Sequence, residues 1–128
     1  MQRSLTTDDI TAIAQLAAAY AHYVDAADAE GLARIWSADA VFAVYGAEHT
    51  PRAAVIAFLV ASARGTHVIS APLVLASHTG ASGWSRFVFV NATSGAVIAG
   101  GYEDSYVQVD GEWKIGRRAV ALPAGGHA

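Results

Sequence analysis

The chain has 128 residues, enough for a single domain spanning 1–128 with a core that needs neither disulfide nor metal. It contains no cysteine, which excludes thiol catalysis, zinc–thiolate sites and disulfide frameworks. Eight Lys+Arg against eleven Asp+Glu leave a net charge of -3 with no run of either sign, which argues against nucleic acid and anionic membrane surfaces as partners.

Hydrophobic residues make up 54% of the chain, yet Asp8, Asp9, Asp25, Asp28, Arg52, Arg64 and Arg86 interrupt every apolar stretch before it could span a bilayer. Arg3 ahead of the alanine-rich Ala12 to Ala21 imitates a secretion signal. Asp8 and Asp9 stand where its hydrophobic region should begin, so a cytoplasmic protein is expected.

Thr6-Thr7-Asp8-Asp9 offers hydroxyl caps and then acids at a helix start, where free N–H groups and the positive dipole end favour them. Ile10, Ile13, Leu16, Ala17, Tyr20 and Val24 recur at helical spacing, which predicts one amphipathic helix to about Ala27. A short second helix is expected with Leu32, Ile35 and Trp36 as its apolar stripe, then a strand over Val41–Tyr45 closed by Gly46. Pro51 opens a third helix, with Val55, Ile56, Leu59 and Val60 facing the core and Gly65 ending it.

From Thr66 on, β-branched and aromatic residues alternate with turn residues. Strands are predicted near His67–Ser77, Trp84–Val90, Val97–Val109 and Trp113–Leu122, with Asp110-Gly111 as a hairpin turn and Pro123–Ala128 as a loose tail. Three helices followed by long antiparallel strands imply an α+β domain with the helices on one face of a curved sheet.

Tyr20-Ala-His-Tyr-Val-Asp25-Ala-Ala-Asp28 followed by Gly31 to Phe42 resembles the opening of SnoaL-like proteins of the nuclear transport factor 2-like superfamily. The helix after Pro51, Thr66-His67-Val68, Gly101-Tyr102-Glu103-Asp104 and Gly111-Glu112-Trp113-Lys114-Ile115 with Arg118 agree in order, so the resemblance covers nearly the whole chain. It implies a cone: three helices closing the back of a strongly bent, mixed but mostly antiparallel sheet around an open pocket. The superfamily includes scytalone dehydratase, limonene epoxide hydrolase, hexachlorocyclohexane dehydrochlorinase, ketosteroid isomerase and polyketide cyclases beside members that only bind, so fold alone selects no function.

Asp25 lies about 120° from Ile13 on the helical wheel, at the margin of the apolar stripe, and His67 begins a strand whose apolar neighbours suggest burial on both faces. By the resemblance, these two positions match the catalytic Asp and His of the dehydrochlorinase and part of the dehydratase site. A carboxylate orienting an imidazole makes a general base near neutral pH. Scytalone dehydratase has a tyrosine where this chain has Val24, and its second histidine falls near Ser85 or Arg86, so Arg86 or a tyrosine is left to stabilise developing negative charge.

Tyr102, Asp104 and Tyr106 share one strand face. Asp104 is either a second acid or base, as in cyclases with a late-strand aspartate, or the cross-strand partner of Arg118. Tyr20, Trp36, Tyr45, Phe58, Trp84, Tyr102 and Tyr106 are candidates to shape a substrate pocket, with Phe87 and Phe89 beside them. His22 falls on the polar side of the first helix; His49, His78 and His127 are placed in a loop, near a turn and in the tail. No metal-ligand spacing, phosphate loop or dinucleotide fingerprint occurs, and no metal or cofactor is expected.

The expectation is a cofactor-free lyase or isomerase for a hydrophobic cyclic substrate, assembled as a homo-oligomer, dimer or trimer. Three alternatives stand beside it: a non-catalytic binder, an epoxide-type hydrolase using Asp25, Arg86 and Asp104, and an interaction domain whose cone is filled by side chains.

Overall fold

The computed structural model describes residues 4–122; the expected tail and His127 lie outside them. Helix α1 (Thr7–Asp25) starts at a reciprocal cap, with Asp9 N–H donating to Thr6 Oγ1 at 3.0 Å and Thr6 N–H to Asp9 Oδ2 at 2.9 Å. Its buried stripe is Ile13, Leu16, Ala17, Tyr20 and Val24, as the periodicity predicts, while Ile10, expected in the same stripe, lies exposed in the first turn. Trp113 Nε1 donates to Asp9 Oδ1 at 3.0 Å and ties this end to the last strand.

Ala27 adopts φ 53, and Asp28 caps α2 (Ala29–Ile35) by accepting from Gly31 N–H at 3.0 Å. Trp36, expected on that helix, instead begins β1 (Trp36–Val44): β-region backbone there ends the helix, and an irregularity between Trp36 and Val41 lets the indole stay in the core. Tyr45 (φ 53) and Gly46 (φ 75) turn the chain into β2 (Ala47–His49), a strand absent from the expectation because tyrosine is not a usual turn residue. Helix α3 (Arg52–Val60) starts after Pro51 and ends at Val60, five residues before the expected stop; Gly65 instead opens β3.

The strand expected over His67–Ser77 is two: β3 (Gly65–Ile69) and β4 (Leu73–Ser77). Pro72, which has no N–H to donate, falls in the gap, where Ser70 N–H donates to the Arg86 carbonyl and Arg86 N–H to Ser70 Oγ, each at 2.9 Å. Both segments pair with the same edge of β5 (Gly80–Asn91). β6 (Val97–Val109) and β7 (Glu112–Ala121) follow, joined by Asp110 (φ 52) and Gly111 (φ 81) as the hairpin signal requires.

The open sheet runs β2-β1-β7-β6-β5-β3, with β4 also on β5; β1 and β7 are parallel and the other pairs antiparallel. The core lies between its inner face and the three helices. Along β5 the pleat turns Ala81, Phe87 and Phe89 inward and leaves Trp84, Val88 and Val90 exposed on the outer face. The register of β6 against β7 slips by one residue between Ser105 and Tyr106, which puts Arg118 rather than Arg117 opposite Asp104 on the buried side.

Candidate active site

Asp25 is the last residue of α1, so its side chain leaves the helix toward the sheet. β3 is an edge strand, and the N–H of His67 has no strand to bond on that side. Asp25 fills this place with both oxygens: Oδ2 accepts from His67 N–H at 2.9 Å, and Oδ1 lies 2.6 Å from His67 Nδ1. The two bonds fix backbone and ring together. With Nδ1 engaged, Nε2 is the nitrogen left for a ligand. Arg64 holds the junction, donating from Nη1 to the Val24 carbonyl at 3.3 Å and from Nη2 to the Val60 and Ser62 carbonyls at 3.1 and 2.8 Å. No sequence signal marks that role.

β3 is not buried on both faces, as its composition suggests. Val68 is 64% exposed, while the His67 and Asp25 side chains are 13% and 24% exposed. His67 lies 4.6 Å from Phe89 and 6.1 Å from Tyr20, measured between ring centres. It lines a cavity of about 270 Å³ open to solvent, with walls from α1, α3, β1 and β3 and from β5 to β7. Phe42, Phe58, Phe87 and Phe89 make it aromatic, and among the described residues no Asp, Glu, Lys or Arg lines it. Its polar groups are His67, Tyr20 and Tyr102, together with Tyr45, Ser62 and Asn91.

Of the expected pocket residues, Tyr20, Tyr45, Phe58 and Tyr102 line this cavity, Tyr45 while 72% exposed. His49, expected in a loop, lies on β2 and stacks on Phe58 at 4.0 Å. Trp36 and Tyr106 are buried but do not reach the cavity: Trp36 packs edge-on behind Tyr20 at 6.1 Å, and Tyr106 donates its hydroxyl to Asp104 Oδ2 at 2.6 Å. Trp84 and Arg86 do not join the site either. Both stand at even positions of β5, which the pleat turns to the outer, exposed face, away from Phe87 and Phe89.

Asp104 faces inward, but its role is the cross-strand one. Arg118 Nε and Nη2 hold Oδ1 and Oδ2 at 2.8 Å each, and neither side chain has any exposed surface. The guanidinium lies over the rings of Tyr20 and Tyr102, at 4.5 and 4.0 Å. Burial raises Tyr20 above the usual tyrosine value and Tyr102 further; the Arg118 charge opposes both, and the bond between the two hydroxyls lowers Tyr20 and raises Tyr102. Both therefore stay neutral hydrogen-bond donors near pH 7. Asp25, Arg86 and Asp104 do not converge, which removes the arrangement that an epoxide-type hydrolase would need. Among the described residues no cluster of three His, Asp or Glu side chains offers a metal site.

This architecture has relatives. Residues 6–119 match the SnoaL-like domain, and the chain belongs to that family, within the nuclear transport factor 2-like superfamily. Rv3472 of Mycobacterium tuberculosis, a protein of unknown function, is similar at 27% identity and a TM-score of 0.84, over 92% of this chain and 78% of that one. A protein from Novosphingobium aromaticivorans provisionally assigned as a scytalone dehydratase shares the fold at 22% identity and a TM-score of 0.75, over 94% and 95% of the two chains. LinA shares it at 20% identity and a TM-score of 0.74, over 92% and 91%. No protein of curated function matches the sequence.

Proposed function

We propose that the protein is a cofactor-free lyase or isomerase for a small, uncharged, hydrophobic cyclic molecule, with His67 as general base and Asp25 as its orienting partner. The observation that carries this reading is the Asp25–His67 pair, joined by two hydrogen bonds, with His67 in the wall of an aromatic cavity that, among the described residues, no Asp, Glu, Lys or Arg lines. The cavity's size suits one or two rings. The enzymes among its fold relatives support the class of reaction without naming the substrate.

In an elimination, His67 Nε2 takes a proton from carbon, and that electron pair becomes the new double bond. The leaving hydroxyl on the neighbouring carbon takes a proton from Tyr20 and departs as water. The imidazolium proton then returns through solvent to the phenolate. In an isomerisation the proton on His67 goes back to a different carbon, and Tyr20 only donates a hydrogen bond to the substrate oxygen.

The test is a panel of cyclic β-hydroxy ketones assayed for turnover, with binding followed by calorimetry. His67→Ala is expected to lower turnover by about 10²–10⁴-fold while leaving affinity within a few-fold. A wild type that binds but turns over none of the panel favours the binder instead.

The reading includes a homodimer through the outer sheet face. Val68, Leu73, Trp84, Val88 and Val90 are exposed there, and Glu103 on the adjoining strand stands opposite Trp84, two positions along from Arg86, so that a two-fold contact can pair opposite charges. Light scattering of wild type against Trp84→Glu is the check; a monomeric wild type contradicts it.

A further inference from the structure

The polar end of the cavity is backed by a charge that the proposed chemistry leaves unused. Arg118 is wholly buried, and two of its nitrogens are taken by Asp104, whose carboxylate also receives the Tyr106 hydroxyl. The third, Nη1, has no hydrogen-bond partner. A buried ion pair is a poor way to gain stability, since apolar side chains of similar volume commonly do as well. What the pair does achieve is a cation fixed against two tyrosine rings that both line the cavity, one of them 6.1 Å from the ring of His67.

We propose that Arg118 is a positioning residue for the pocket: held by Asp104 behind Tyr20 and Tyr102, it sets the Tyr20 hydroxyl to hold negative charge on a substrate oxygen opposite His67. The inference rests on the reading of the cavity as a substrate site. Tyr20 lines the cavity with the guanidinium 4.5 Å from its ring centre, so the Arg118 charge strengthens the Tyr20 hydroxyl as a donor without entering the cavity. Asp104 and Tyr106 keep the guanidinium from turning toward the ligand itself. The substrate class narrows accordingly to rings bearing a carbonyl or hydroxyl oxygen.

The test uses 4-nitrophenol, read by its phenolate absorbance at a pH where it is ionised, against 4-nitroanisole, which has nearly the same shape and cannot ionise. The wild type is expected to prefer the phenolate. Asp104→Leu/Arg118→Met removes both charges and leaves the net charge unchanged; it is expected to lose the preference by about tenfold while binding the anisole as before. Arg118→Lys, which keeps the charge without the fork, is expected to retain part of it.

A merely structural role for Arg118 would weaken both probes alike. An unchanged preference in the folded double variant, or in Arg118→Lys should the double variant not fold, overturns the proposal. If the wild type binds both probes without preference, the positioning role alone falls; if it binds neither, the reading of the cavity as a substrate site falls and takes this inference with it.

Discussion

Asp104 and Arg118 stand directly opposite each other on β6 and β7, joined by two bonds of 2.8 Å with no solvent on either side chain. Their alignment depends on the one-residue slip in β7: strict alternation from the inward Trp113 and Ile115 would bring Arg117 to the core and turn Arg118 outward.

Breaking this pair from one side leaves a buried charge alone. Arg118→Met by itself is expected to cost about 3–5 kcal/mol, whereas Asp104→Leu/Arg118→Met recovers most of that loss. Urea unfolding of the single and double variants checks it. A double variant as unstable as the single one contradicts the account.

High pH is expected to weaken the fold in a defined window. Burial raises Tyr20, Tyr102 and Tyr106 above the usual value of 10.0, so the unfolded chain releases those protons first. Their contribution is complete below that value and is lost as pH rises past it, at about 1.4 kcal/mol per pH unit for each tyrosine ionised only when unfolded. Denaturation midpoints measured between about pH 9 and 11 should fall, together with a rise in tyrosinate absorbance at unfolding. A flat midpoint across that range counts against the burial of these hydroxyls.

Asp9 serves two bonds at once, the Thr6 N–H and the Trp113 indole. Asp9→Ala is therefore expected to cost about 1–3 kcal/mol, more than the cap alone, and Thr6→Ala about 1 kcal/mol. Thermal melts of the two variants rank them, and equal losses would show that the indole bond adds nothing.

Much of the fold is legible in the sequence because period and punctuation agree. The stripe from Ile13 to Val24, the start of α3 after Pro51 and the Asp110-Gly111 turn are local signals, and each is where expected. The misses are places where a long-range partner decides. Trp36 leaves its helix for a strand beside β7, Gly65 starts a strand rather than ending a helix, and Pro72 splits what composition reads as one strand.

The same division holds in the site. The Asp25–His67 pair is readable from the resemblance, and the geometry brings the two together. The outward placement of Trp84 and Arg86 follows from the phase of β5, which residue types alone do not set. Arg64 has no signal at all, because its partners are backbone carbonyls from two helices and a loop.

The central claim is that Asp25 holds the His67 ring by Nδ1 and leaves Nε2 to the cavity. Nitrogen-15 NMR of the imidazole reads this directly: the neutral ring should carry its proton on Nδ1, and Asp25→Ala should abolish that preference. A ring protonated on Nε2 in the wild type, or a tautomer indifferent to Asp25→Ala, would contradict the account.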